Sequence, residues 1–233
     1  MNQNEFLDYL KKIGIILDEK KQSQLKNYAS FLLEFNKHTN LTSITRIEEV
    51  YLKHFYDSLT LTKIYSFSNE RVLDVGTGAG FPGLVLAIVF PSLQVTLLDS
   101  NNKKTTFLKE CVNLLDLKNV EVITSRAEEY TKVHREEYDV VTSRAVSNLR
   151  ILLELNLPSI KVGGYFLAMK GNALQELEEA KNALKKLNSK IEEQQEFELP
   201  LEAGHRTLIK IKKEEITPLL YPREYSKIKK KAL

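Results

Sequence analysis

The chain reads as an α/β protein: a mostly parallel seven-stranded sheet with helices on both faces, preceded by a helical extension. Three observations predict this. From Arg71 onward, short apolar runs alternate with helical periods. The thirteen residues from Arg71 to Gly83 compress a strand, a glycine turn and a helix start. Before them lie about seventy residues whose apolar positions keep helical spacing. At 233 residues and 42% apolar content, the chain suffices for one α/β core plus a smaller appendage, and is too short for two full catalytic domains.

Leu25, Tyr28, Leu32 and Phe35 recur at three- and four-residue intervals, the stripe of a half-buried helix from Asp18 to about His38. A second helix is expected from Thr45, which forms a capping-box pattern with Glu48, through Val50, Tyr51 and His54 toward Leu61. The polar stretch Ser66–Asn69 closes this part. Two units are therefore expected: an extension over residues 1–68 packed on the core, and a Rossmann-like domain over 69–233 with a basic tail.

Strands are predicted at Val72–Val75, Val95–Leu98, Val120–Thr124, Asp139–Ser143 and Tyr165–Met169. Helices at Leu84–Phe90, Lys103–Leu115 and Leu149–Ile160 fall between them, the alternation of a parallel sheet with crossover connections. A further helix spans Gln175–Leu187. The last two strands, near Ile191–Leu199 and Thr207–Ile211, are joined by a short link that suits an antiparallel pair at one sheet edge.

The turn after the first strand is a ligand cradle. Gly76, Gly78 and Gly80 stand at every second position, so the backbone can approach a ligand with no side chain in the way. Pro82 suits a first helical position, where its missing N–H costs nothing. Gly78, Gly80 and Gly83 also satisfy G-x-G-x-x-G, which leaves a nicotinamide-dependent oxidoreductase open. Asp74, two residues before Gly76, resembles instead the E/D-x-G-x-G-x-G motif of class I S-adenosylmethionine-dependent methyltransferases. Asp99, at the end of the second strand, is suited to accept hydrogen bonds from the two ribose hydroxyls of an adenosine.

Several chemistries find no support. Cys111 is the only cysteine and sits in an amphipathic helical stretch, which suits a small buried thiol. His38, His54, His134 and His205 lack metal-ligand spacing, no G-x-S-x-G turn occurs, and no metal is expected. No apolar run approaches membrane-spanning length, so a soluble cytoplasmic protein without membrane partners is expected. The net charge of +3 is concentrated at the end, where Arg223, Lys227, Lys229, Lys230 and Lys231 face a single acid, Glu224. Such a tail either binds phosphates or merely solubilises the terminus.

Six blocks carry a more specific resemblance: Asn40–Ser43, His54–Leu59, Asp74–Gly83, Leu98–Lys104, Ser125–Glu129 and Thr142–Ala145. In this order they resemble the RsmG family, also called GidB, from about residue 20 to Arg223. The resemblance implies a class I methyltransferase fold and methylation of guanine N7 in small-subunit (16S) ribosomal RNA, with S-adenosylmethionine as cofactor and the rRNA or the small subunit as partner. A monomer is expected. Two departures stand out: Phe35 replaces a frequent Trp, and Glu224-Tyr225-Ser226 stands where a Gly-Thr-Pro element is often found.

The resemblance places cofactor contacts at Gly76, Phe81, Ala127, Glu128 and Arg144. The turn amides of Gly76, Thr77, Gly78 and Gly80 would face the methionine part, Asp99 with Ser100 the ribose, and Ala127-Glu128 the adenine edge. Taken alone, Glu128 is better explained as an acid in a first helical turn than as a ligand contact. Arg144 has three alternative partners: the cofactor carboxylate, the RNA, or Asp74.

No residue is assigned a proton-transfer role, because N7 carries a lone pair and no proton. Arg144 or Lys170 would orient the base through O6 with Phe81 packed beside it, although Lys170 also reads as a strand-end surface lysine. His54 and Asp57, three residues apart, share one helix face. That face either lines the cleft, with Asn40 nearby, or braces the appendage.

Because the deep major groove of A-form RNA hides N7, the target guanine belongs in a loop, bulge or distorted helix. Lys103, Lys104, Arg126 and Arg206 join the tail as phosphate-binding candidates. The rival functions are a small-molecule methyltransferase and a non-catalytic RNA-binding module that retains the cofactor fold.

Overall fold

A computed structural model describes residues 1–144 and 147–233; Ala145, which ends the last sequence block, lies outside the described residues. The chain opens with helices α1 (Gln3–Lys12) and α2 (Glu19–Thr39). A composite helix follows: α3 (Ile47–Glu49), a π segment (Val50–Tyr56), α4 (Asp57–Leu59) and a 3-10 turn (Thr60–Lys63). Then come β1 (Arg71–Val75), α5 (Gly83–Val89), β2 (Gln94–Asp99), α6 (Asn102–Leu114), β3 (Val120–Thr124) and α7 (Ala127–Val133). The chain continues through β4 (Tyr138–Arg144), α8 (Leu149–Asn156), β5 (Ile160–Lys170) and α9 (Leu174–Lys186). It ends with β6 (Ser189–Glu198), β7 (His205–Lys213) and α10 (Tyr225–Lys230).

The seven strands lie in the order β3-β2-β1-β4-β5-β7-β6. The first five are parallel, and β7 pairs antiparallel with both β5 and β6. The strand order reverses between β1 and β4, and ligands of open α/β sheets bind off the carboxyl ends of strands at such a reversal.

Period-two alternation sends successive strand residues to opposite cores. Val72, Val95, Leu97 and Val140 face the amino-terminal helices, α5 and α6. Leu73, Leu98, Val141 and Phe166 face α7, α8 and α9. Phe6, Leu25, Tyr28, Phe55 and Leu59 belong to the first of these cores, so the amino-terminal helices pack directly on the sheet.

Four local expectations are corrected. Helix α1 escaped the sequence reading, although Asn2 and Glu5 form a full capping box and Phe6 and Leu10 are buried one turn apart. The Thr45–Glu48 box does not form; the helix starts at Ile47 behind Arg46, which gives no side-chain cap. The α8 region stops at Asn156 because Pro158 cannot continue a helix, and β5 begins at Ile160. Pro82 is the residue before α5, not its first position.

Candidate active site

The glycine turn between β1 and α5 is a left-handed loop. Gly76, Gly78 and Gly80 have φ of 70°, 63° and 103°, a region that side chains rarely tolerate. Asp74 fastens it: its Oδ2 accepts from the Thr77 hydroxyl at 2.6 Å and from the Gly83 amide at 2.7 Å. Burial pushes the Asp74 carboxyl up to about 6. A Cβ on Gly83 would stand 2.7 Å from the Asp74 Cβ, and one on Gly80 would stand 2.6 Å from the Tyr28 hydroxyl. That hydroxyl donates to the Ala79 carbonyl, so helix α2 holds the turn from behind.

A cavity of about 550 Å³ opens off the ends of β1 to β4. Gly76, Asp99, Ser100, Ala127, Glu128 and Arg144 line it, with Lys104, Arg126 and Tyr225. Of the remaining cofactor candidates, Thr77 points back to Asp74, and Gly80 and Phe81 pack behind the turn. Phe81 is buried and stacked on Tyr28, with centroids 5.5 Å apart, so its side chain is a brace and not a cavity wall. Asp99 accepts from the Gly78 amide at 3.0 Å and the Asn101 amide at 2.9 Å, which ties the glycine turn to the tip of β2.

The cavity suits an adenosyl sulfonium ligand. Its volume lies within the ~300–1,000 Å³ typical of small-molecule sites. The turn amides are not free to face a ligand, contrary to expectation: those of Gly76 and Thr77 donate to the Leu98 carbonyl at 2.8 and 3.1 Å, that of Gly78 to Asp99, and that of Gly80 to the Thr77 carbonyl at 2.9 Å. The turn therefore offers close approach rather than donors, and a Cβ on Gly78 would meet only the Gly76 carbonyl, at 4.0 Å. Asp99 supplies carboxylate acceptors for ribose hydroxyls, and Val75, Leu98 and Leu155 supply apolar walls. Residues Gly76, Asp99, Ser100, Ala127 and Glu128 are therefore the group that would hold such a ligand.

Beside this cavity lies a polar cluster that sequence spacing does not show. Arg144, at the end of β4, donates to the Lys53 carbonyl at 3.0 Å and to Asp57 at 3.2 Å, and it meets His54 Nδ1 at 3.1 Å. Its guanidinium lies 5.0 Å from the Phe81 ring centroid. The other Asp57 oxygen accepts from Arg206 Nε at 2.8 Å. Arg144 thus pairs with Asp57 and not with Asp74, whose bonded oxygen serves the turn.

Asp57 and His54 are buried and do not line the cavity; of the two alternatives, the bracing one fits, because they tie the extension to Arg144 of β4 and Arg206 of β7 from a buried position rather than from a helix surface. They hold Arg144, and Asp57 also holds Arg206. His54 stacks on Phe81 at 4.2 Å, and its pKa is lowered to about 3, first by burial and then by Arg144. Neutral His54 accepts from Arg144 at Nδ1, which leaves Nε2–H to donate to the Thr42 hydroxyl at 3.0 Å. Asn36, not singled out from the sequence, clasps the Thr42 backbone through both amide atoms; exposed Asn40 only ends α2 in a left-handed turn.

Lys170 is not a surface lysine. It is 8% exposed, donates to the Ser147 carbonyl at 2.6 Å and pairs with Glu176 at 2.9 Å. Glu176 in turn accepts from the Leu149 amide at 2.7 Å, so the pair pins the start of α8 beside the cavity. In the tail, Arg223 is bound to buried Glu154 at 2.6 Å and is not free for phosphate. Glu128 accepts from Arg126 at 2.9 Å on the cavity rim. Cys111 is buried, and burial pushes its thiol well above the usual range.

Comparison with known proteins agrees with this geometry. The GidB family, described as rRNA small subunit methyltransferase G, matches residues 21–207. The chain belongs to this family. It is 46% identical over 228 residues to the ribosomal RNA small subunit methyltransferase G of Lysinibacillus sphaericus, covering 96% of each chain. The protein of that name in Acetivibrio thermocellus is 46% identical over 222 residues, covering 94% of this chain and 92% of its own.

Among solved structures, M. jannaschii TYW2 in complex with AdoMet superposes with a TM-score of 0.56 at 19% identity, covering 67% of this chain and 74% of that one. The ribosomal protein L11 methylase of Lactobacillus delbrueckii subsp. bulgaricus gives 0.55 at 16% identity, covering 70% and 79%. At such identities the likeness is one of fold. Among the described residues, no group of three His, Cys, Asp or Glu side chains forms a metal site, and no helix is long and apolar enough to cross a membrane.

Proposed function

We propose that the chain transfers the methyl group of S-adenosylmethionine to N7 of a specific guanine in small-subunit ribosomal RNA. The observation that carries this is the cavity at the strand-order reversal, lined by Gly76 of the glycine turn, by Asp99 and by Arg144. Membership of the family supplies the substrate class. In this reading residues 1–68 are an extension that braces the site, residues 69–233 carry the chemistry, and a cytoplasmic monomer meets the RNA.

When bound, the donor supplies an electrophilic methyl on a sulfonium sulfur, which passes to N7 as the carbon–sulfur bond breaks and its electron pair stays on sulfur. The N7 lone pair is the nucleophile and no proton leaves the ring, so the residues must align and not deprotonate. Gly76 and the close backbone of its turn would border the amino-acid end, while Asp99 and Ser100 would hold the sugar. Ala127 and Glu128 border the base. Arg144 keeps N–H groups beyond those given to Lys53, His54 and Asp57, and these orient the guanine at the cavity border. Such positioning is worth ~7–11 kcal/mol in favourable systems. Lys103 and the tail lysines bind RNA phosphates, so turnover falls steeply as salt rises; Lys104 instead lies on the cavity wall, 3.7 Å from Asp99.

The test is to incubate the protein with labelled S-adenosylmethionine and naked ribosomal RNA, small subunits or free nucleosides, then map the label. Label recovered as 7-methylguanosine at one site of the RNA is the expected outcome. Label in free nucleosides alone would support a small-molecule enzyme. Donor and RNA binding without transfer would support a non-catalytic module.

A further inference from the structure

The carboxy-terminal segment reaches the cavity from outside the span of the family match. Tyr225, the first residue of α10, lines the cavity with Arg126, Ala127 and Glu128. The Arg126 guanidinium lies 5.2 Å from the centre of its ring and is itself paired with Glu128 at 2.9 Å. The segment is firmly seated. Arg223 gives its backbone amide and two guanidinium nitrogens to Glu154 at 3.0, 2.7 and 2.6 Å, and Glu154 is wholly buried. Ile228, three residues after Tyr225, is also buried, whereas Lys227, Lys229 and Lys230 are exposed. Helix α10 therefore turns Tyr225 and Ile228 inward and its lysines outward.

We propose that Tyr225 is a donor-binding residue that covers the purine end of S-adenosylmethionine, making the carboxy-terminal segment a wall of the donor site. This rests on the methyl-donor function proposed for the cavity. Asp99, at the tip of β2, fixes the ribose in the middle. The amino-acid part then runs toward the glycine turn after β1, and the base runs toward the tip of β3, where Ala127 and Glu128 stand. Tyr225 joins the cavity on that side through Arg126. A purine there gains stacking on an aromatic face, which tolerates any base because every base presents a π-face. Arg126 against the ring adds a cation–π contact that keeps the tyrosine in place. Since one residue serves both the seated tail and the ligand, each stabilises the other.

Calorimetric Kd values decide the matter, measured for S-adenosylmethionine and for 5′-methylthioadenosine, which keeps purine and ribose but lacks the amino-acid part. Tyr225→Ala should weaken both ligands by the same factor, about tenfold or more, as expected for a lost aromatic–base stack. Tyr225→Phe, which keeps the ring, should stay within about twofold. Saturating 5′-methylthioadenosine should slow tryptic cleavage of the wild-type tail. Unchanged affinity in Tyr225→Ala, or a loss confined to S-adenosylmethionine, would overturn the proposal while leaving the donor site standing. Wild-type protein that holds neither ligand would overturn the donor site itself, and this assignment with it.

Discussion

The donor cavity and the arginine cluster beside it are built on opposite principles. The cavity's glycine turn is made of backbone: its key groups lie within ten residues of one another, from Asp74 to Gly83, and its conformation follows from glycine at positive φ. The cluster is made of charge. Asp57 reaches Arg144 across 87 residues and Arg206 across 149, and it is itself wholly buried while both arginines keep an exposed edge. A local loop tolerates loss of distant partners but not an added Cβ. A long-range ion cluster tolerates small changes in volume but not the loss of its central charge.

Asp57→Ala tests the difference most severely. Removing the acid leaves two guanidiniums facing each other without their shared partner, and breaking such a buried arrangement costs ~3–5 kcal/mol. Urea denaturation should show that loss, and RNA methylation should fall with it because Arg144 is no longer held. A variant of wild-type stability would mean that the cluster is dispensable bracing.

Gly80→Ala strikes the other region. The position has φ of 103° and a Cβ would meet the Tyr28 hydroxyl at 2.6 Å and the Leu84 Cβ at 2.9 Å. Strain and overpacking together should cost roughly 2–4 kcal/mol. Calorimetry should show weakened donor binding as well, and wild-type affinity would separate the turn from the cavity.

The two regions also respond to pH with opposite sign. His54 has its folded pKa lowered from 6.5 to about 3, so its neutral form contributes stability that is complete above 6.5 and is lost as pH falls toward 3. Asp74 has its folded pKa raised from 3.8 to about 6, so its contribution is present below 3.8 and is lost as pH rises through 6. Between 3.8 and 6 the two slopes oppose each other. The stability difference between wild type and His54→Gln should therefore grow as pH rises through this window, read from urea midpoints. A difference independent of pH would remove His54 from the balance.

Tyr28→Phe gives the smallest effect. It deletes the hydroxyl bonded to the Ala79 carbonyl and keeps the ring that stacks on Phe81 and Phe55. A loss of ~1 kcal/mol is expected, with a modest rise in donor Kd. If donor affinity fell as far as in Gly80→Ala, helix α2 would count as part of the cavity and not as its support.

The sequence by itself determined what depends on neighbours along the chain. Apolar periods marked the strands and most helices, the close of β6 and β7 on a short link was legible as an edge pair, and the glycines with Asp74 and Asp99 marked the cradle. These features rest on φ restrictions, side-chain period and residue size, all of which act over a few positions. Even there, overlapping local signals misled: the Thr45–Glu48 box lost to a start at Ile47, while the box at Asn2 and Glu5 went unread.

Only the tertiary structure decided the partners of charge. Nothing in the spacing of Asp57, Arg144 and Arg206 announces that they meet, because a buried ion pair is chosen by desolvation and by which strand tips the fold brings together. The same holds for Lys170 on Glu176, for Tyr28 behind the glycine turn, and for Arg223 on Glu154, which seats Tyr225 at the cavity wall. Burial makes each of these groups seek a partner, and the strand order supplies it.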